Sequence, residues 1–270
     1  MTDLLPSTYL FIPGDRPERF NKALGAGADA VIVDLEDAVS PASKAAARAA
    51  CVQLWSGYQG ATPLLVRIND AHSPYFDEDL ALVKSAGITG VVLSKAEDAA
   101  QLARVAEAMP DGGSIIGLIE TARGIFNLEQ IAHAPKVQRL GFGTLDYAVD
   151  LGLSGDERGL LYPSCQMAIV SRVAGIGSPV AGVTTALDDE ARLLSDFAFA
   201  RACGFGAKLC IHPKQLAPLQ RALAPAAAEI DWARRVMAAV AGGQAAVQVD
   251  GKMVDRPVML KAQDILRRAG

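Results

Sequence analysis

Aromatic side chains are scarce in this chain: only 6% of its 270 residues are Phe, Trp or Tyr. A core without aromatic bulk has to be built from Ala, Val, Leu and Ile, and a 51% hydrophobic content with a mean hydropathy of +0.22 supplies it. That composition suits an α/β protein, in which strands and helices are buried against each other and both sheet faces are covered. A surplus of one charge is missing too. The net charge is −4 and the pI about 5.4, which argues against the strongly basic face that a nucleic-acid partner requires. An anionic small molecule needs only a local basic pocket and stays open. Cysteine is limited to Cys51, Cys165, Cys203 and Cys210, with no CxxC pair or zinc-like spacing, so ordinary buried thiols are expected. Long apolar runs are lacking as well. The longest are strand-sized, well short of the roughly 20 residues of a spanning helix, and Asp3 and Pro6 interrupt the stretch where a signal peptide would be apolar. The expectation is a cytoplasmic protein with no membrane and no nucleic-acid partner.

What is present is a period. Short β-branched runs recur at Thr8–Ile12, Ala30–Leu35, Leu64–Ile68, Gly90–Leu93, Ser114–Ile119, Arg139–Phe142, Pro179–Val183 and Ala207–Ile211. Each is followed by an Ala-rich helical stretch, as in Pro41–Leu54, Asp98–Ala108 and Asp188–Ala202. Eight βα units in one chain predict a closed parallel (β/α)₈ (TIM) barrel. The seventh strand has several candidate registers because Ala174–Gly182 is glycine-rich. The pattern then changes. Pro225–Ala241 reads as a helix, Gly242-Gly243 as a break, Gln248–Val254 as a turn or hairpin, and Pro257–Ala269 as a terminal helix. The expected division is a catalytic barrel over 1–222 and a C-terminal helical lid over 223–270. The tail is expected to bury no core of its own, and so to pack on its own barrel or on a neighbour's.

The ends of the runs are polar and their beginnings bland. Barrel enzymes build their sites at the C-terminal ends of the strands, and here those ends carry Arg16, Asp34, Glu36, Asp37, Arg67, Lys95, Glu120, Asp146 and His212. Glu120 and Asp146 are one βα unit apart, so their carboxylates can converge. Two acids at one mouth share a proton or a cation, and Mg²⁺, with Mn²⁺ as a substitute, takes one or two carboxylates and completes its shell with water and substrate oxygens. The alternative is a structural ion pair with Arg123 or Arg139. Arg67, inside a hydrophobic run, needs an anion: a substrate carboxylate, or else Glu36 or Asp37. Arg16 could contact carrier phosphates or the substrate, or be a solvated surface residue. His212 reads as a satisfied core imidazole capping strand eight, or as one that hydrogen-bonds within the mouth, and Lys95 shows no neighbour that would make it a Schiff-base lysine.

The segments YLFIPGDRPERF, ADAVIVDLEDAV, VRIN, GLIETARGI, GFGTLDYAVDLG, AKLCIHPKQ and DGKMVDRPV stand in order from Tyr9 to Val258. Together they resemble the HpcH/HpaI aldolase–citrate lyase superfamily, and within it the citrate lyase β-subunit-like branch. The resemblance implies a Mg²⁺-dependent carbon–carbon lyase that cleaves or forms a citryl-, malyl- or citramalyl-type 3-hydroxyacyl thioester, giving a 2-oxo acid and an acyl-CoA or acyl-carrier thioester. It implies metal at Glu120 and Asp146, substrate contact at Arg67, and proton transfer by Asp255 reaching over a neighbouring subunit's mouth. On that mechanism Glu120, Arg16, Glu36 and Asp37 are further candidates for the substrate site, Glu36 and Asp37 by ordering metal-bound water. It further implies a homotrimer or dimer of trimers, with acyl-carrier or transferase subunits as further partners. Many relatives read G-A-E-D where this chain reads Gly143-Thr144-Leu145-Asp146, so Leu145 removes a negative charge beside the metal. The other readings are a metal-dependent aldolase acting on free hydroxy-oxo acids and a non-catalytic barrel subunit.

Overall fold

The computed structural model describes residues 5–241 and 247–269. Eight parallel strands close into a barrel in sequence order: β1 (Thr8–Pro13), β2 (Ala30–Asp34), β3 (Leu64–Ile68), β4 (Gly90–Leu93), β5 (Ser114–Ile119), β6 (Val137–Phe142), β7 (Val180–Ala181) and β8 (Ala207–Cys210). Pairing of Thr8 with Lys208 and of Tyr9 with Leu209 closes the ring between β1 and β8. Alternation along the strands sends every second residue inward, and Tyr9, Ile32, Leu65, Ile116, Leu118, Val180 and Leu209 belong to one buried cluster. The intervening residues, such as Val31, Val33 and Val66, are equally buried beneath the outer helices.

The seventh stave is the short one. β7 shares one registered pair with β6, Gly141 with Val180, and two with β8. β6 begins earlier than the expected run, at Val137. Outside the barrel, the Ala99–Ala108 helix is capped by Asp98, whose side chain accepts from the Gln101 amide. The Ala122–Phe126, Thr144–Leu151 and Arg158–Val173 helices leave Phe126, Val149, Tyr162, Ile169 and Val173 largely exposed.

The chain divides into two compact units, one ending at Ala217 and the other beginning at Pro218. The boundary expected at 222/223 falls at the end of the Leu216–Leu223 helix, whereas the observed division falls near its start. The second unit does bury a core, contrary to the expectation. Ala233 and Val236 of the Ala227–Ala241 helix pack with Ala262 and Ile265 of the Arg256–Ala269 helix, and Val249, Val254 and Val258 lean on them. Two amphipathic faces that meet need no larger partner to exclude water. The hairpin between the helices, β9 (Val247–Val249) with β10 (Lys252–Val254), turns at Asp250 and Gly251. Both residues have positive φ, 51° and 74°, the backbone of a primed two-residue turn that Asp-Gly favours. The Gly242-Gly243 break lies outside the described residues. No helix among the described residues is long and apolar enough to cross a membrane.

Candidate active site

Two steps along a strand from an inward core residue lead to the mouth. Ile32 leads to Asp34, Leu65 to Arg67, Leu118 to Glu120 and Tyr9 to Phe11, so the same alternation that fills the barrel places these four side chains at its carboxyl end. They line a cavity of about 390 Å³ together with Asp37, Gly143, Thr144, Leu145, Asp146 and Val183.

Arg67 is the hub. Its Nε and Nη2 donate to the two carboxylate oxygens of Asp34 at 2.7 and 2.6 Å, the bidentate fork a guanidinium is shaped for. Nη1 stands 2.8 Å from Glu36 Oε2 and 3.8 Å from Asp37 Oδ2, and the guanidinium lies 4.9 Å from the centre of the Phe11 ring. Burial opposes its charge, but Asp34, Glu36 and Glu120 outweigh that and raise its pKa. Asp34 is held by more than Arg67, because its carboxylate also accepts the amides of Glu36 and Ala38. Beneath this turn, buried Lys44 donates to the carbonyls of Leu35 and Glu36 and to Asn69 Oδ1, tying the β2 and β3 ends together. Sequence reasoning gave Asp34 no role beyond its place at a strand end, and it passed over Lys44, which sits in an Ala-rich helical run with no local signal.

Glu120 is buried, and its Oε2 accepts the Lys95 amide at 2.9 Å. Burial, then the neighbouring Glu36 carboxylate, push its pKa up to about 8 against the pull of Lys95 and Arg67. Its other oxygen presses on Gly143, where a Cβ would stand 2.3 Å from Oε1. Asp146, in the first turn of the Thr144–Leu151 helix, faces the same cavity. Between these acids lies Lys95, held at φ +46°. Its ammonium is 2.8 Å from Glu36 Oε1 and 3.7 Å from Asp146 Oδ1, and these acids with Glu120 raise its pKa despite burial. Burial raises the pKa of Glu36, while Arg67 and Lys95 lower it. Its Oε2 makes an ion pair with Arg67 without hydrogen-bond alignment, and it is a buried oxygen with no hydrogen-bond partner.

The structure therefore brings together Arg67, Glu120, Asp146, Glu36 and Asp37, and adds Asp34, Lys95 and Phe11. Arg16 is exposed, pairs with Asp15 at 3.8 Å, and is not among the cavity-lining residues. Asp255 belongs to the second unit, where its carboxylate accepts the Val258 amide at 3.1 Å and caps the terminal helix. His212 is a cap rather than a core imidazole: Nδ1 accepts the Lys214 amide. Neither arginine considered as a structural partner is paired with Glu120 or Asp146. Arg139 donates to the Pro6 and Ser178 carbonyls, and Arg123 approaches Glu97.

Two carboxylates on one cavity, with the unsatisfied Glu36 oxygen beside them, fit a divalent cation that uses one or two carboxylates plus water and substrate oxygens. No group of three or more His, Cys, Asp or Glu side chains is gathered for a metal among the described residues, so few protein ligands would hold such an ion.

Comparison with known proteins shows the family and the fold. The family model for HpcH/HpaI aldolase/citrate lyase matches residues 7–213. A citrate lyase subunit beta-like protein of Deinococcus radiodurans is 36% identical over 96% of this chain and 95% of its own length. A (3S)-malyl-CoA thioesterase of Cereibacter sphaeroides is 33% identical over 97% of this chain and 94% of its own. The crystal structure of CitE from Mycobacterium tuberculosis in complex with magnesium, acetoacetate and coenzyme A superposes with a TM-score of 0.85, at 35% identity and 98% coverage of both chains.

Proposed function

The chain belongs to the HpcH/HpaI aldolase/citrate lyase family, and from that premise we propose that it is a Mg²⁺-dependent lyase acting on a 3-hydroxyacyl thioester that carries a second carboxylate. The observation that carries the reading is the convergence of Glu120, Asp146 and Arg67 on one cavity. Glu120 and Asp146 would hold the cation, Mg²⁺ or Mn²⁺. When bound, it supplies positive charge to the substrate's hydroxyl and carboxylate oxygens and makes the hydroxyl proton easier to remove. Loss of that proton to solvent and cleavage of the carbon–carbon bond would yield a 2-oxo acid and a thioester enolate, which takes up one proton at carbon to become the acyl thioester.

Arg67 is placed to offset the enolate charge. Asp34 and Glu36 fix its plane, and the N–H groups left over on Nη1 and Nη2 are available to a ligand. Asp37 and Glu36 order water around the site. Lys95 neutralises the acids before the cation arrives. Asp255, from the second unit of a neighbouring copy, exchanges the methyl proton of the acyl product. Exposed Phe126, Val149, Tyr162, Ile169 and Val173 support association of copies, as a homotrimer or a dimer of trimers. The carrier is CoA or an acyl-carrier protein, and Arg16 is available to its phosphates.

Calorimetry with Mg²⁺ in the presence of oxaloacetate or glyoxylate tests the metal site. The Glu120→Gln plus Asp146→Asn protein should lose measurable Mg²⁺ affinity, and unchanged affinity would overturn the assignment. Mass spectrometry of malyl-, citramalyl- and citryl-thioesters incubated with protein and Mg²⁺ should find a 2-oxo acid and a shortened acyl thioester. The malyl-CoA thioesterase relative favours a second reading, hydrolysis of the thioester with the carbon skeleton kept. Intact hydroxy acid in place of oxo acid would establish that reading instead.

A further inference from the structure

Three lysines of the barrel unit place their ammonium groups on carbonyl-type oxygens, and one of them is short of partners. Lys44 spends its three N–H donors on Leu35 O, Glu36 O and Asn69 Oδ1, at 2.6 to 2.8 Å. Lys136 spends three on the carbonyls of Ala106, Met109 and Pro110, at 2.9 to 3.0 Å. Lys208 is only 2% exposed, yet among the described residues it has one acceptor, the Gly182 carbonyl at 2.6 Å. Its neighbours Ala207 and Leu209 belong to the inner core, so Lys208 points outward from β8. Asp196, on the helix that follows β7, does not serve as its counter-ion. That carboxylate is taken by Arg192 Nε and Thr184 Oγ1, each at 2.6 Å. Burial lowers the pKa of Lys208 to about 8, with Asp196 pulling the other way, so the amine is mainly protonated at pH 7.

A buried ammonium with one hydrogen bond and no paired anion is costly unless something else completes it. Lys208 forms part of the wall of a second cavity of about 250 Å³, which also includes Phe142, Leu153, Leu160, Phe199 and Phe205 together with Asp156, Glu157, Asp196 and Arg192. The three acids already have partners, Asp156 in Arg158, and Glu157 and Asp196 in Arg192. Thr144, Leu145 and Val183 are common to this cavity and to the mouth, so the two are neighbours with a shared wall. We propose that the second cavity is a binding site for a small aliphatic monocarboxylate, with its carboxylate on the Lys208 ammonium and its hydrocarbon chain against Phe142, Leu153, Leu160 and Phe199. Such a ligand supplies the missing acceptors at its head and buries apolar surface along its tail.

Titration calorimetry of the full chain at pH 7, in chelator to keep the mouth free of metal, tests this with butyrate and hexanoate as probes. The wild type should bind one equivalent. Lys208→Met should weaken binding by at least roughly tenfold, because the buried charge partner is gone. Leu160→Trp keeps the charge but fills the space, and should abolish binding of hexanoate. Thermal melting should rise with butyrate in the wild type and stay flat in Lys208→Met. No heat with the wild type overturns the proposal. So does binding that survives Lys208→Met and Leu160→Trp but is lost in Arg67→Lys, which would seat the carboxylate in the mouth.

Discussion

Burying Glu120 beside Glu36 means that, without metal, the folded site keeps a proton that the unfolded chain has already released at neutral pH. Between the ordinary glutamate pKa and about 8, the folded state binds more protons than the unfolded one, so stability falls as pH rises through that window. In chelator, the melting temperature of the wild type should drop relative to Glu120→Gln between about pH 5 and about pH 8; parallel curves would mean that Glu120 is already ionised. Metal binding at pH 7 should then release a proton, visible as buffer-dependent calorimetric heat. Arg67→Lys should lower kcat/KM by roughly 10²-fold or more, since lysine keeps the charge but not the fork. It should also lower the melting temperature, because the fork that is lost holds Asp34 as well. Near-normal turnover would make Arg67 purely structural. The acids and Arg67 are legible as polar ends of apolar runs. Their pairing is not, because whether Arg67 meets Asp34, Glu36 or Asp37 depends on the β2–β3 register, which sets Asp34 directly beside Arg67. The role of Lys95 is hidden for the same reason: its partners lie just beyond β2, just beyond β5 and on the helix after β6, and no local pattern joins them.

At the junction of β6 with the Thr144–Leu151 helix, a Cβ on Gly143 would meet the Glu120 carboxylate and force it to shift. Gly143→Ala should weaken Mg²⁺ binding by roughly tenfold or more, while far-ultraviolet circular dichroism stays native, since an alanine tolerates the φ of −84° found there. Unchanged metal affinity would mean that the contact relaxes freely. Elements with strong periods show their limits in the sequence: β3, β4 and β5 begin and end where their apolar runs do. β7 shrinks to two residues because glycines supply no side chains to anchor a register. The core of the second unit is hidden for a different reason, since each of its helices alone shows an amphipathic face but not what that face meets.

For the molecule as a whole, the proposed sharing of a mouth between copies makes a testable demand. Inactive Glu120→Gln and inactive Asp255→Ala proteins, co-expressed, should regain part of the activity, because some mouths then combine an intact acid pair with an intact Asp255. Mixed oligomers that form yet stay inactive would assign Asp255 to its own barrel, or only to capping its helix. The short seventh stave has a consequence of its own. A wall held by one registered pair on one side and two on the other is where the ring is cheapest to breach. Amide protons around Val180 should exchange with solvent through local openings well below the free energy of global unfolding, while those of β2, with five registered pairs to β1, should await the whole chain. Such a breach would lie at the wall that the mouth and the Lys208 cavity share, at Val183. Traffic between the two chambers would then be limited by the breathing of a single strand.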